Sequence, residues 1–162
     1  MKKLMTIAAA ALAILVAGCG KNESNGMIHR NGIAIQRIAE PQDVALGGMK
    51  GFGMTLSPVG NFAPNVNCLQ QNAPGMDISQ FMETSMAQYK ALNANVLARR
   101  IVSSDEATVD VTFSSFGHNI RCHQRILKNG SVFHVVTACA AESTWSEVSG
   151  RLMACVNSAR VE

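Results

Sequence analysis

Four consecutive stretches of the chain have the composition of β-strands, and their succession constrains the fold more than any other feature. In one of them Val109, Val111 and Phe113 are separated by threonine and aspartate, which is the period of a half-buried strand. The last two stretches flank Asn129-Gly130, and Asn-Gly between such stretches is a strong signal for a tight hairpin. The sequence therefore predicts a meander of four antiparallel strands over residues 95–103, 107–115, 118–127 and 131–139.

A helix is predicted before this meander. Apolar residues recur at helical spacing from Ile78 to Leu92, and such a stripe is typical of a helix that faces a core. Asp77 is suited to cap the helix, and Gln80 stands three residues later, as a capping box requires.

A second helix is predicted after the meander. Thr144 and Glu147 have the spacing of another capping box. One face of this helix would carry Trp145, Val148, Leu152, Cys155 and Val156. We expect this face to pack against Phe133 and Val135 of the preceding strand.

Shorter strands over residues 33–38, 51–58 and 65–70 precede the first helix. The order of strands, helix, four-stranded meander and helix is typical of an α+β domain, in which helices pack on an antiparallel β-sheet. Without the N-terminal segment described next, about 130 residues remain, which is enough for one domain with its own core. The sequence therefore predicts a single α+β domain over residues 33–162.

Residues 1–18 have the layout of a secretory signal peptide. Lys2 and Lys3 precede an apolar run from Leu4 to Val16, and small residues follow it, as in such signals. The run is shorter than the roughly 20 residues that a helix needs to cross the hydrocarbon core. A cleaved signal is therefore favoured over a permanent transmembrane anchor.

The sequence Val16-Ala17-Gly18-Cys19 resembles the lipobox of bacterial lipoproteins. In that family the cysteine takes a diacylglycerol group, the signal is cut before it, and the new amino group is acylated. The resemblance implies that Cys19 is lipidated and begins the mature chain, and two or three acyl chains make a stable membrane anchor. Gly20 in place of aspartate implies the outer membrane, facing the periplasm. Residues 19–32 are predicted to form a polar, lipidated tether, and the alternative is an ordinary secreted protein with one extra cysteine.

The other cysteines predict a disulfide framework, because an exported protein meets oxidising conditions. Cys68, Cys122, Cys139 and Cys155 allow three connectivities. Pairing of Cys139 with Cys155 is disfavoured, because about 11 residues of helix would carry Cys155 about 16 Å away. We predict the bonds Cys122–Cys139 and Cys68–Cys155.

The register of the predicted hairpin decides whether Cys122 can reach Cys139. With a turn at Asn129-Gly130 the two would be diagonal neighbours about 7–8 Å apart, whereas a disulfide needs Cα atoms within about 7 Å. A turn at Gly130-Ser131 would place them directly opposite each other. The sequence leaves both registers open.

No set of catalytic residues stands out. The sequence lacks a Gly-x-Ser-x-Gly elbow and a phosphate-binding loop, and adjacent residues such as Cys122 and His123 point to opposite faces of a strand. The candidate metal ligands are the cysteines and four histidines, His29, His118, His123 and His134. His123 and His134 are expected on one face of the hairpin beside Arg121 and Arg125, where two imidazoles could hold zinc or copper. The arginines would repel a cation and no third ligand is placed, so we predict no metal site, no cofactor and no enzymatic activity.

The charge of the chain argues against a nucleic-acid partner. Without Lys2 and Lys3, the 14 basic residues fall to 12, against 11 acidic ones. A near-neutral chain lacks the basic stripe that electrostatic binding to nucleic acid requires.

Three stretches follow one another between residues 50 and 162: "NVNCLQ", "GMDISQFMETSMAQYKAL" and "GSVFHVVTACAAESTWSEVSGRLMACVNSARV". Together they resemble the fold shared by PsbP, the bacterial lipoprotein DcrB and a Ran-binding nuclear-transport factor. Members of this fold bind other proteins, and the resemblance supplies no catalytic residues. Together with the lipobox and the missing catalytic set, the resemblance implies a membrane-anchored cell-envelope lipoprotein that acts as a non-catalytic protein-binding or accessory module, with an envelope protein as partner. The alternative is a binder of a small ligand or metal ion at the sheet face.

Overall fold

The computed structural model describes residues 26–46, 49–115 and 117–162. The predicted signal peptide, Cys19 and the first part of the predicted tether lie outside these residues. The strands of the described residues are β1 (Met27–Arg30), β2 (Ile33–Gln36), β3 (Gln42–Leu46), β4 (Met49–Thr55), β5 (Asn65–Asn72), β6 (Asn95–Ser103), β7 (Glu106–Ser115), β8 (His118–Asn129), β9 (Val132–Ala141) and β10 (Arg160–Val161). The helices are α1 (Ile78–Ala91) and α2 (Trp145–Ser158), with a 3₁₀ turn over Glu142–Thr144. Neither α1 nor α2 is long and apolar enough to span a bilayer.

Seven strands of the described residues form one antiparallel sheet in the order β3-β4-β5-β9-β8-β7-β6. The four strands β6 to β9 are neighbours in space as they are in the chain, which confirms the predicted meander. The β8–β9 hairpin turns at Gly130-Ser131, since Asn129 pairs with Val132. Gly130 has a φ of 60°, and it stands at the position where a two-residue type II′ turn requires glycine.

Helix α1 covers one face of this sheet. Its predicted capping box is confirmed, because Asp77 accepts a hydrogen bond from the Gln80 backbone at 2.8 Å and Gln80 accepts one from the Asp77 backbone at 2.9 Å. The buried face of α1 packs on β7, β8 and β9. In this core Phe81 stacks on Phe133, with ring centroids 4.1 Å apart.

Helix α2 covers the opposite face. Its buried residues are Leu152, Cys155 and Val156. They share a core with Val136 of β9, and the expected packing against Phe133 and Val135 is wrong, because those two residues belong to the core under α1. Strand β9 is buried almost throughout, so its sequence does not distinguish one face from the other.

The capping box predicted at the start of α2 is not formed. Thr144 makes no side-chain cap, and its hydroxyl donates instead to the carbonyl of Ala141 at 3.3 Å. The reason is local, since the 3₁₀ turn leads directly into α2 and leaves Thr144 with a ψ of 2°, away from the extended conformation of a capping residue.

Strands β1, β2 and β10 form a second, smaller sheet beside α2. Asn31 and Gly32 have φ values of 54° and 72°, as a two-residue type I′ turn between β1 and β2 requires. Strand β10 pairs with β2, and the backbone N–H of Glu162 donates to the carbonyl of Gly32 at 3.0 Å. Strand β1 lies inside the range predicted as a tether, so residues 27–30 of that range belong to the smaller sheet.

Candidate functional site

Cys122 of β8 and Cys139 of β9 are joined by a disulfide, with Cα atoms 4.3 Å apart. The turn at Gly130-Ser131 places the two residues directly opposite each other. Both are fully buried in the core under α1. Because solvent does not reach this bond, we interpret it as a structural link between two central strands.

Cys68 and Cys155 are free thiols in the structure, so the second predicted bond is not formed there. The thiol of Cys155 donates to the carbonyl of Gln36 at 3.1 Å, which directs the sulfur toward the smaller sheet. Burial raises the pKa of both thiols to about 12; the nearby Cys155 adds to the rise at Cys68, whereas Arg151 opposes it at Cys155. The thiolate is the nucleophilic form of cysteine, so neither residue is suited to nucleophilic chemistry near neutral pH.

His123 and His134 project from the same face of the β8–β9 hairpin but do not converge. His123 faces Ala138 and His134 faces Leu127, so four positions, or about 13 Å, separate them along the strands. Nδ1 of His123 lies 3.1 Å from Oδ1 of Asp110. In the part of the chain that the structure describes, no three His, Cys, Asp or Glu side chains are grouped to hold a metal ion.

Arg121 and Arg125, which lie on the same face as His123 and His134, make their contacts within the chain. Arg125 forms a two-pronged ion pair with Glu106, with N–O distances of 2.8 and 3.2 Å. It also donates to the carbonyls of Asn157 at 3.0 Å and Ala159 at 2.7 Å, at the end of α2, where a cation is favoured by the helix dipole. The guanidinium of Arg121 lies 5.2 Å from the ring centroid of Trp145. Both arginines therefore attach α2 to the sheet.

His134 is buried beneath the β1–β2 turn. A Cβ atom placed on Gly32 would lie 3.8 Å from Cε1 of His134, and Gln70 next to His134 donates a hydrogen bond to the carbonyl of Asn31 in the same turn. Burial lowers the pKa of His134 below its ordinary value of 6.5, because the imidazolium form would lose its hydration.

We expect His134 to make the fold sensitive to acid. Because its pKa is lowered in the folded state, the unfolded chain binds more protons around and below pH 6.5. The stability contributed by neutral His134 is therefore complete above that pH. It is lost as the pH falls from there through the lowered pKa of the folded state. In urea unfolding from about pH 7.5 to about pH 5, His134→Gln should flatten the decline in the free energy of unfolding. An unchanged decline in His134→Gln would contradict the assignment.

A cavity of about 470 Å³ lies at one end of the β8–β9 hairpin. Its lining residues are Gly117, His118, Asn119, Ala141, Glu142 and Ser143. The ring of His118 packs edge-on against Phe62, with centroids 5.9 Å apart, and Glu142 is exposed. Of the candidate histidines, His118 lines this cavity, whereas His123 and His134 do not. Among its described lining residues there is no buried charged group that would select a ligand.

The most distinctive surface is strand β6, which forms an edge of the seven-stranded sheet. Within the described residues β6 pairs only with β7, and every residue from Leu97 to Ser103 is exposed. Six large apolar residues are exposed in the described part of the chain, and four of them lie on or just before β6: Leu92, Leu97, Ile101 and Val102. An open edge presents unpaired backbone groups to other chains, so exposed apolar side chains there indicate an interaction surface.

The sequence predicts strand β6 but not its exposure. The signal was present as two pairs of adjacent apolar residues, Val96-Leu97 and Ile101-Val102, which break strict alternation. The register shifts at each pair, and such bulges are over-represented at sheet edges.

Comparison with known proteins is informative at the level of structure. The chain is similar to cyanobacterial PsbP (CyanoP) from Synechocystis, with 12% identity, a TM-score of 0.57, and coverage of 91% of this chain and 99% of that chain. The domain has a PsbP-like fold. The resemblance seen in the sequence is thereby confirmed at the level of fold.

Two further solved structures share this PsbP-like fold. LpqN, involved in cell envelope biogenesis of Mycobacterium tuberculosis, has 11% identity and a TM-score of 0.57, over 85% of this chain and 90% of that chain. A protein of unknown function from Pseudomonas aeruginosa has 8% identity and a TM-score of 0.54, over 81% of this chain and 92% of that chain. No family model matches the sequence, and a search of curated proteins finds no match. At these identities the similarity shows the fold alone.

Proposed function

We propose that this chain is a membrane-anchored cell-envelope lipoprotein that acts as a non-catalytic protein-binding or accessory module. The observation that carries the binding role is the exposed apolar edge at β6, since an edge of this kind is otherwise an aggregation hazard. The PsbP-like fold supports the proposal, and one protein with this fold, LpqN, is involved in cell envelope biogenesis. The anchor is proposed to be the lipidated Cys19, in the outer membrane and facing the periplasm.

A binder of a small ligand or metal ion at the sheet face has less support. That function would need His123 and His134 to converge on an accessible site. Both side chains are buried, and Arg121 and Arg125 make contacts to α2 that a ligand would have to displace.

We expect Cys19→Ser to abolish lipid attachment, because serine cannot form the thioether that carries the lipid. In fractionated cells the wild-type protein should be in the membrane fraction, and the variant should be soluble or should retain its signal peptide. Cys68→Ser keeps Cys19 and is the matched control, which should remain in the membrane. Mass spectrometry of the native protein should show Cys19 as the acylated first residue, and an unmodified Cys19 or another first residue would contradict the prediction.

The binding role is tested separately by crosslinking in intact envelopes followed by purification of this chain. We expect a protein to be crosslinked reproducibly and in stoichiometric amounts, and to be lost when the envelope is dissolved before crosslinking. Recovery of the chain alone under both conditions would argue against a protein-binding module.

A further inference from the structure

We propose that β6 binds an extended, acidic segment of a partner protein, which adds to the seven-stranded sheet as an eighth strand. This inference rests on the proposed protein-binding function and names the chemistry of the partner. The segment that binds it is the β6 edge, defined as Leu97–Val102.

The backbone of the β6 edge is suited to strand addition. Its register with β7 shifts between Val96 and Ala98 and again between Ile101 and Ser103. Between these two bulges the residues from Ala98 to Ile101 pair with β7 without interruption. A regular stretch of this kind can form main-chain hydrogen bonds with an added strand, and the bulges limit how far that strand can extend.

The side chains of the β6 edge supply apolar contact area. Leu97, Ile101 and Val102 are 46%, 49% and 45% exposed. Ile101 lies opposite Ala107, which belongs to the buried core under α1. A partner strand with an apolar residue on this side would therefore extend the existing core.

The charge of the β6 edge selects an acidic partner. Arg99 and Arg100 stand at its centre, and β6 contains no acidic residue. Arg99 makes an exposed ion pair with Glu83 of α1 at 3.1 Å, whereas Arg100 lies opposite Thr108 and has no ion-pair partner among the described residues. Opposite charges on neighbouring strands stabilise pairing, so glutamate or aspartate facing these arginines would favour binding.

The same charges disfavour a second copy of this chain as the occupant. Two-fold pairing of β6 with itself would be antiparallel and would place each copy of Arg99 or Arg100 near an arginine of the other copy. Like charges directly opposite each other are destabilising in a sheet. The geometry therefore points to a different, acidic chain.

The probe for this inference is a synthetic peptide as long as β6 in which valine and glutamate alternate, added to the full chain purified in detergent. Two comparison peptides carry lysine in place of glutamate, or proline at the centre to remove a backbone donor. Fluorescence anisotropy gives the affinities, and hydrogen exchange locates the protected amides. Arg100→Glu reverses the charge at the β6 edge, and Lys50→Glu makes the same change on β4, at an exposed position far from it.

We expect the glutamate peptide to bind and to protect amides of β6, and the lysine and proline peptides to bind at least about tenfold more weakly. Arg100→Glu should weaken the glutamate peptide by a similar factor, whereas Lys50→Glu should not. Equal affinity for the three peptides, protection away from β6, or protection in the free chain of the β6 amides that point away from β7 would overturn the inference. A partner crosslinked in envelopes at another surface would also overturn it, while leaving the proposed function in place.

Discussion

Leu152→Ala should lower the free energy of unfolding by about 2–5 kcal/mol. Leu152 is fully buried where α2 meets the seven-stranded sheet and the smaller sheet. Removing its side chain would leave a cavity between three elements that cannot all move inward, and the lost contacts would add to the lost burial of apolar surface. Denaturant unfolding at neutral pH measures the change.

Leu92→Ala is the matched control for Leu152→Ala. Leu92 is the same residue type but is 57% exposed at the end of α1, so its replacement should change the free energy of unfolding by less than about 0.5 kcal/mol. A loss that small for Leu152→Ala as well would show that α2 contributes little to the core. That result would contradict the packing of α2 on the seven-stranded sheet.

Removing the disulfide by replacing Cys122 and Cys139 with alanine should cost about 3 kcal/mol through the greater freedom of the unfolded chain. The two residues are 17 positions apart, and in the chain-entropy model a loop of this size gives a stabilisation of that order. Unfolding of the double variant in denaturant measures the loss, and peptide mapping without reductant should recover Cys122 linked to Cys139.

The control for the double variant replaces Cys68 and Cys155 with alanine. This change also removes two buried sulfur atoms, and the hydrogen bond from Cys155 to Gln36 with them, but it breaks no disulfide. The difference between the two double variants therefore reports the effect of the cross-link. An equal loss in both would contradict that effect. Recovery of a peptide that joins Cys68 to Cys155 would instead restore the second predicted bond.

Local patterns predict the central strands and both helices, because burial on one face imposes a period on their sequences. Val109 and Val111 of β7 are buried, while Thr108 and Asp110, which alternate with them, are partly exposed, as the pattern predicts. The pattern could not assign the helices to faces. Strand β9 is apolar on both sides, so nothing in its own sequence placed Phe133 under α1 rather than α2.

Strands β1 and β10 could not be predicted with the same rules, since both are short and the smaller sheet packs on α2, which is distant from β1 in the chain. Strand β1 lies in a polar segment, and only Ile28 of its four residues is buried. Its one local signal was Asn31-Gly32 before the apolar run that starts at Ile33, which is typical of a hairpin. Strand β10 has two exposed residues and depends on β2.

The candidate site was only partly predictable, because exposure is a property of the whole fold. The sequence places His123 and His134 on one face of a hairpin, but it does not reveal that the smaller sheet and α2 cover that face. In the same way it predicts β6 as a strand without showing that β6 would be at an edge. Which strand is outermost depends on the order of the complete sheet, and that order includes β3, which the sequence did not predict.

The smaller sheet has a consequence for how the folded chain opens. In most domains the two termini fray independently, each at little cost. Here β1 and β10 flank the same strand, β2, and the carbonyl of Gly32 accepts the final backbone hydrogen bond from Glu162. Loss of β2 would free β1 and β10 at once, so we expect the three strands to open as one cooperative unit.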